Sequence, residues 1–231
     1  MKRIMLISLA LLILAGSAAA GQLCGVVGFD QYIANYNGIS NACQVGDKLL
    51  YDFTYSAVFD RGPGPDASEL AVVPDPGDGV SNPGLIFSVG GFLVFPGDTL
   101  DAVITYSIGT SGGSAVIHDY SLSAAGSHTQ STGQGFGRVT ESFSNNPAGT
   151  PLVTQVGPDG FRVNSAHIDF SPYVSVATVT TQIHLESPSN GSDIVTISAI
   201  QEHFSEKLPE PYPTVLTGFG LLLLGLRRKR A

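Results

Sequence analysis

Five carboxylates lie in one proline-rich stretch of this 231-residue sequence, and carboxylates at that density can bind calcium. They are Asp60, Asp66, Glu69, Asp75 and Asp78. Calcium takes roughly six to eight oxygen ligands, which carboxylates and backbone carbonyls of a stiff loop can supply. The spacing does not match the EF-hand loop. The sequence therefore leaves two alternatives, a weak calcium site or a solvated acidic loop, and predicts no other cofactor.

Histidine next to aspartate is the second pattern with chemical potential. His118 precedes Asp119, and His167 is two residues from Asp169. Residues two apart on a strand face the same side, so an imidazole–carboxylate hydrogen bond is possible there. Neither pair has the spacing of the His-Glu-x-x-His metal motif. Exposed strand histidines are the simpler interpretation.

The segment Gly109-Thr110-Ser111-Gly112-Gly113 matches the Gly-x-Ser-x-Gly pattern of a nucleophile elbow. That elbow requires a strand before the serine and a helix after it. The residues that follow, 114–120, are typical of another strand, which favours a flexible hairpin loop. The sequence therefore predicts no catalytic residue and no enzyme.

Tyrosines could provide a platform on which sugar rings stack. The candidates are Tyr32, Tyr36, Tyr51, Tyr55, Tyr106, Tyr120 and Tyr173. Tyr51, Tyr55 and Tyr106 lie on the apolar phase of their segments, which favours a place in the core. The sequence contains no tryptophan.

Cys24 and Cys43 are the only cysteines. In an exported chain an even pair indicates one disulfide. Two cysteines without a nearby histidine would make a poor zinc site. We therefore predict that the two are linked.

Apolar and polar residues alternate with a period of two in many short segments. The longest are residues 49–59 and 100–108, with shorter ones at 85–89, 91–95, 115–122, 138–143, 152–156, 161–163, 168–170, 174–185 and 194–204. Alternation of this kind predicts half-buried strands, and Gly and Pro turns lie between them. We expect an all-β, antiparallel β-sandwich of the jelly-roll type over residues 21–208, with a helical turn only near residues 31–36.

The charge of this middle region excludes one class of partner. Residues 21–208 contain five Lys and Arg against 18 Asp and Glu, a net charge of about −13. Nucleic-acid binding requires a basic surface. We therefore expect no nucleic-acid partner.

The first 20 residues have the pattern of a signal peptide. Lys2 and Arg3 precede an apolar run over residues 4–14, and Ala18-Ala19-Ala20 is a cleavage pattern. We expect signal peptidase to cut between Ala20 and Gly21.

The last 23 residues have an unusual order. Pro209-Glu210-Pro211 is followed by an apolar stretch over residues 214–226 and then by Arg227, Arg228, Lys229 and Arg230. An apolar segment followed by cations stops in the membrane with the cations in the cytoplasm. The 16 residues from 211 to 226 would rise only ~24 Å as a helix, against a hydrocarbon core of ~30 Å.

This order of tripeptide, short apolar helix and arginine cluster resembles the PEP-CTERM sorting signal of bacterial surface proteins. The resemblance covers residues 209–231. It implies transient anchoring in the inner membrane by the C-terminal helix, removal of the tail by a membrane-embedded exosortase, and transfer to the cell surface or extracellular matrix. It also implies an association with exopolysaccharide.

Two functional classes remain for the region between the signals. The first is a structural or adhesive protein of the surface or matrix, associated with exopolysaccharide. The second is a β-sandwich that binds a glycan or calcium. A hydrolase is a third and weaker alternative.

Overall fold

The computed structural model describes residues 22–77, 82–111, 116–129, 135–144, 152–156, 164–189 and 192–207. The predicted signal peptide and the predicted sorting signal lie outside these residues, as does Asp78. In the described part of the chain, no helix has the length and apolar character needed to cross a bilayer.

In the described residues, fifteen strands form two sheets, and one helix, α1 (Phe29–Asn35), packs beside them. Two short 3₁₀ turns, Ile39–Asn41 and Ala67–Glu69, lie in the same part of the chain. The eight-stranded first sheet has the order β1-β3-β4-β9-β14-β11-β12, with β5 paired to β4. Its strands are β1 (Gln22–Leu23), β3 (Cys43–Val45), β4 (Lys48–Phe59), β5 (Gly62–Pro63), β9 (Thr99–Thr110), β11 (Phe136–Phe143), β12 (Leu152–Val156) and β14 (Val176–Glu186).

The seven-stranded second sheet has the order β13-β10-β15-β7-β6-β2, with β8 paired to β15. Its strands are β2 (Val27–Gly28), β6 (Leu70–Asp75), β7 (Gly84–Val89), β8 (Leu93–Val94), β10 (Val116–Thr129), β13 (Asn164–Val174) and β15 (Ile194–Lys207). Apart from the short parallel pair β1–β3, the strand pairs in both sheets are antiparallel. The prediction of an all-β protein with two antiparallel sheets is confirmed.

Aromatic side chains join the two sheets in one hydrophobic core. Tyr106 on β9 contacts Phe204 on β15 with ring centroids 6.4 Å apart, and Phe143 on β11 contacts Tyr120 on β10 at 4.7 Å. Each fully buried Phe or Leu contributes ~1.5–3 kcal/mol through the hydrophobic effect. The core therefore lies between the two sheets and is formed by the side chains that face inward from each.

A bulge in β4 changes which residues face inward. The register with β9 shifts between Tyr51 and Thr54, and Asp52 has a positive φ of 57°. Lys48 and Leu50 are buried before the bulge, whereas Phe53 is buried after it. The inward-facing residues thus change from even to odd numbers along β4. Alternation in the sequence cannot reveal this change, because it follows from the extra residue that the bulge adds to one strand.

The stretch predicted as an acidic loop contains a strand that the sequence analysis missed. Residues 70–75 form β6, in which Leu70 and Val72 are buried between the sheets. Pro74 hid this strand, because proline cannot donate a ladder hydrogen bond. It is tolerated here since β2, the outer neighbour of β6, pairs only with Ala71 and Val72.

The predicted disulfide is confirmed. Cys24 and Cys43 are bonded, with a Cα–Cα distance of 4.8 Å. Cys24 N–H also donates to Gln44 O at 3.1 Å, which extends the short pairing of β1 with β3. The enclosed segment carries α1, whose Phe29 and Tyr32 are fully buried. The bond therefore ties down the segment that covers one end of the sandwich.

Candidate functional site

The outer face of the second sheet carries a continuous group of polar side chains across its central strands. Asp119, Ser121 and Ser123 on β10 lie opposite Asp169, His167 and Ser165 on β13. The same β10 residues lie opposite Ser205, His203 and Gln201 on β15. We call these nine residues the polar band. They face solvent because their neighbours on each strand, such as Tyr120 and Leu122, fill the core.

A local excursion of β13 builds a cleft at one end of the polar band. Ile117 pairs with Val174 and Asp119 pairs with Asp169, so residues 170–173 lie opposite His118 alone. The excursion turns Tyr173 outward, where 42% of the residue is exposed. The ring centroid of Tyr173 lies 4.9 Å from that of His118.

We call this depression the Tyr173 cleft. It has a volume of ≈ 480 Å³ and is lined by His118, Asp169, Phe170, Ser171, Pro172 and Tyr173. It offers an aromatic ring, an imidazole, a carboxylate and a hydroxyl to one ligand. An apolar surface with a few convergent polar groups is the usual composition of a ligand site.

The register shift at His118 also redirects that side chain. Successive strand residues normally face opposite sides, but Ile117 and Tyr120 are both buried, whereas His118 and Asp119 both face outward. His118 Nδ1 consequently lies 2.9 Å from Asp119 Oδ2. Together with Asp169, these residues place one potential ligand atom each within 4.8 Å of one another. Both His–Asp pairs are visible in the sequence, but only the register of β10 with β13 brings members of both into one cluster.

A second group of hydrogen bonds extends the polar face toward β6. His203 Nε2 lies 3.0 Å from Asp75 Oδ2, and Gln201 Nε2 donates to the same oxygen at 3.1 Å. Burial alone would raise the pKa of Asp75, but hydrogen bonds from the Gly77 N–H, His203 and Gln201 hold that pKa below its usual value. The Asp75 carboxylate is therefore engaged by neighbouring side chains at neutral pH.

A second depression, the Phe95 cleft, lies at another place on the surface. Its apolar walls include Phe59, Pro63, Leu93 and Phe95, and 51% of Phe95 is exposed. Arg61 borders it, with Nε 2.8 Å from Asp98 Oδ1. This cleft offers an apolar surface with one ion pair at its edge.

The structure separates most of the carboxylates predicted to bind calcium. Asp66 and Glu69 form a capping box on the second 3₁₀ turn, while Asp60 lines the Phe95 cleft and Asp75 contacts His203. Among the described residues, the group of three or more ligands close enough for one ion is His118, Asp119 and Asp169. A calcium site that includes Asp78 stays a prediction, since Asp78 lies outside those residues.

The segment that matches a nucleophile elbow connects two strands. Ser111 follows β9, and the next described element is β10. β9 lies in the first sheet and β10 in the second, so the connection crosses between the sheets and is not the predicted hairpin. The helix that an elbow requires is absent from the described residues on either side.

Of the seven tyrosines considered as a platform for sugars, six lie in or against the core. Tyr32, Tyr36, Tyr51, Tyr106 and Tyr120 are buried, and Tyr55 packs against the hydrophobic cluster. Among the described residues, Tyr173 is the exposed tyrosine, with 42% of the residue accessible to solvent. It lies at the edge of the polar band.

A network of polar groups that was not predicted from the sequence lies between the sheets. Glu141 on β11 and Glu202 on β15 are fully buried. Thr181 Oγ1 lies 2.8 Å from Glu141 Oε1 and 3.0 Å from Glu202 Oε1, and the Tyr106 hydroxyl donates to Glu202 Oε2. A threonine hydroxyl has one hydrogen to donate, and it lies within reach of both carboxyls. We call Glu141, Glu202, Thr181 and Tyr106 the carboxyl network.

Burial raises the pKa of the Glu141 carboxyl well above its usual range, and the Glu202 carboxyl beside it raises this pKa further. Burial also raises the pKa of Glu202, against which hydrogen bonds from Glu141, Tyr106 and Thr181 act. One signal in the sequence could have revealed these groups. Glu141 lies on the apolar phase between Val139 and Phe143, and Glu202 lies between Ile200 and Phe204.

No protein-family model matches the chain, and no curated protein matches it. Among solved structures, the module TmCBM61 in complex with β-1,4-galactotriose is 9% identical, with a TM-score of 0.32 over 64% of this chain and 86% of that chain. A family 11 carbohydrate-binding module from Clostridium thermocellum is 11% identical, with a TM-score of 0.22 over 68% of this chain and 96% of that chain. A family two carbohydrate esterase from Cellvibrio japonicus is 13% identical, with a TM-score of 0.23 over 69% of this chain and 36% of that chain.

Proposed function

We propose that this protein binds a neutral polysaccharide on the outer face of its second sheet, without turnover. The observation that carries the proposal is the position of the exposed Tyr173 ring at the end of the polar band. A sugar ring has an apolar face, which stacks on an aromatic side chain, and hydroxyls, which need hydrogen-bonding partners at its edge. The Tyr173 cleft and the polar band offer these two surfaces side by side.

The polar band suits hydroxyl-rich ligands for two reasons. Its serine, glutamine, histidine and aspartate side chains include both donors and acceptors of hydrogen bonds. The serines at its centre, Ser121 and Ser123, are short, so a chain lying along the sheet can approach the backbone closely. Recognition by a strand surface also needs little loop ordering, which lowers the entropic cost of binding.

Charge decides the class of polysaccharide. The region between the two predicted signals has a net charge of about −13, and the polar band itself includes Asp119 and Asp169. An anionic polyuronate would be repelled by this surface. A neutral chain meets no such penalty, so we propose neutral glycans as the ligand class.

Replacing Tyr173 with alanine is expected to weaken binding of a neutral polysaccharide at least tenfold. The variant loses the stacking surface while the core is unchanged, because the ring lies outside it. Affinity electrophoresis and calorimetry on the purified protein, with soluble chains of β-linked glucose, galactose or xylose and with a polyuronate, measure this effect.

The matched control is Phe95→Ala, which removes an exposed ring from the other cleft and should leave affinity unchanged. A Tyr173→Ala variant that binds as tightly as the wild type would refute the proposed site. If Phe95→Ala abolishes binding instead, the glycan lies in the Phe95 cleft.

We also propose that the protein reaches the cell surface through its C-terminal tail, with a structural or adhesive role in an exopolysaccharide matrix. The support is the order of Pro209-Glu210-Pro211, the apolar stretch and the terminal cations, which resembles a PEP-CTERM signal. Signal peptidase and exosortase would then be its partners during export. Glycan binding by the folded region would retain the released protein in the matrix.

Intact-mass analysis of protein extracted from the cell surface is expected to show loss of about the last 20 residues, since the predicted sorting signal covers residues 209–231. A variant with alanine at Pro209, Glu210 and Pro211 should keep its tail and stay in the membrane fraction. Surface-extracted protein that still carries Arg227 to Arg230 would contradict processing.

A further inference from the structure

Asp119 and Asp169 form a like-charged pair across two neighbouring strands. They are direct partners in the β10–β13 ladder, and both face the outer side of the second sheet. Like charges directly opposite each other destabilise an antiparallel pair. The Asp119 side chain is only 19% exposed, so solvent screens its charge incompletely.

Histidines contact these two carboxylates. His118 Nδ1 lies 2.9 Å from Asp119, and His167 Nε2 lies 3.3 Å from Asp169 Oδ1. A divalent cation bound between the two carboxylates would remove the repulsion between them.

From this geometry we infer that His118, Asp119 and Asp169 bind a divalent transition-metal ion of the zinc type. Their ligand atoms lie within 4.8 Å of one another. Two ligands that are each about 2.1 Å from a tetrahedral zinc ion lie about 3.4 Å apart. Small side-chain rotations bring the three atoms to that spacing, because Asp169 is on the surface, with 69% of its side chain exposed.

The imidazole decides the class of metal. Nitrogen ligands suit zinc, copper, nickel and iron, whereas calcium and magnesium prefer oxygen ligands throughout. The register shift that turns His118 to the same side as Asp119 brings that nitrogen to the two carboxylates.

Neighbouring side chains hold two of the ligands in place. The Tyr173 ring packs against His118, and His167 contacts Asp169 from the side. Contacts of this kind orient metal ligands and increase affinity. Three protein ligands would leave one position of a tetrahedral ion open toward the Tyr173 cleft.

The inference does not rest on glycan binding, because the metal titration contains no polysaccharide. Chelator-treated, tag-free protein is titrated with ZnCl₂, CaCl₂ or MgCl₂ by calorimetry and by thermal melting. We expect one Zn²⁺ per chain, affinity at least 100-fold greater than for Ca²⁺, and a rise in Tm of about 3–6 °C at ten times Kd.

Asp169→Asn and His118→Gln should each weaken zinc binding at least tenfold. The matched control is His184→Gln, which disrupts another surface His–Asp pair, in which His184 Nδ1 lies 2.7 Å from Asp101 Oδ1. That variant should bind zinc like the wild type.

Three results would overturn the inference. They are a folded protein without saturable zinc binding, an unchanged affinity in Asp169→Asn, and equal weakening by His184→Gln. Tighter binding of Ca²⁺ than of Zn²⁺ would refute the assigned metal class.

Discussion

Replacing Glu141 with glutamine is expected to raise the free energy of unfolding at pH 8 by ~1 kcal/mol or more, since each unit of difference between the folded and unfolded pKa corresponds to about 1.4 kcal/mol. The reason is the carboxyl network between the two sheets. Burial beside Glu202 raises the pKa of Glu141, so the folded protein holds a proton that the unfolded chain has already released at neutral pH. Glutamine has no proton to take up, and its amide can still accept from Thr181.

The sign of the pH dependence follows from the raised pKa. A carboxyl whose pKa is higher in the folded state stabilises the fold most fully below its unfolded pKa of about 4.3. This stability is lost as the pH rises toward the folded value. We therefore expect the wild type to lose stability from about pH 5 upward, and Glu141→Gln to show a flatter profile.

Urea unfolding at several pH values between 4.5 and 9, followed by far-UV circular dichroism, measures this effect. Glu186→Gln is the matched control, because 48% of the Glu186 side chain is exposed at the end of β14, and its pH profile should follow the wild type. Parallel profiles for the wild type and Glu141→Gln would show that Glu141 does not carry a proton into the fold.

Removing the disulfide by the double substitution Cys24→Ala, Cys43→Ala is expected to cost about 3 kcal/mol. The two cysteines are 19 residues apart, and loop closure of this length lowers the entropy of the unfolded chain by roughly that amount. Alanine is preferred to serine because Cys43 is fully buried. Burying a hydroxyl costs free energy unless it is hydrogen-bonded.

Urea unfolding of the wild type and the double variant, each with and without dithiothreitol, measures the loss. Reduction should shift the wild type to the stability of the variant and leave the variant unchanged. A wild type whose midpoint does not respond to reductant would show that the bond contributes little. Residual structure in the unfolded chain would then be the physical reason.

Local patterns predicted the elements of this fold well. Alternation over residues 100–108 identified most of β9, and that over residues 194–204 identified most of β15, because half-buried strands impose a period of two on any sequence. The helical turn near residue 31 is α1. β6 was not predicted because Pro74 is typical of a loop. The strand tolerates this proline because β2 pairs only with Ala71 and Val72.

The sites depended on information that no local pattern contains. Asp119 and Asp169 are 50 residues apart in the sequence, and their contact follows from the register of β10 with β13. A shift of one residue in that register would move every side chain to the other face. His118 joins them because the register shift between Ile117 and Asp119 turns its side chain outward. No residue type in that segment predicts the shift.

The sequence by itself determined that the middle of the chain is β-rich and acidic, because composition and period are local properties. It also offers one possible pair of cysteines within the chain. The signal peptide and the sorting tail are predictions from the sequence. Only the tertiary structure decided which polar residues meet. Strand order and register bring Glu141 to Glu202 in the core and His118 to two aspartates at the surface, and both are properties of the whole sandwich.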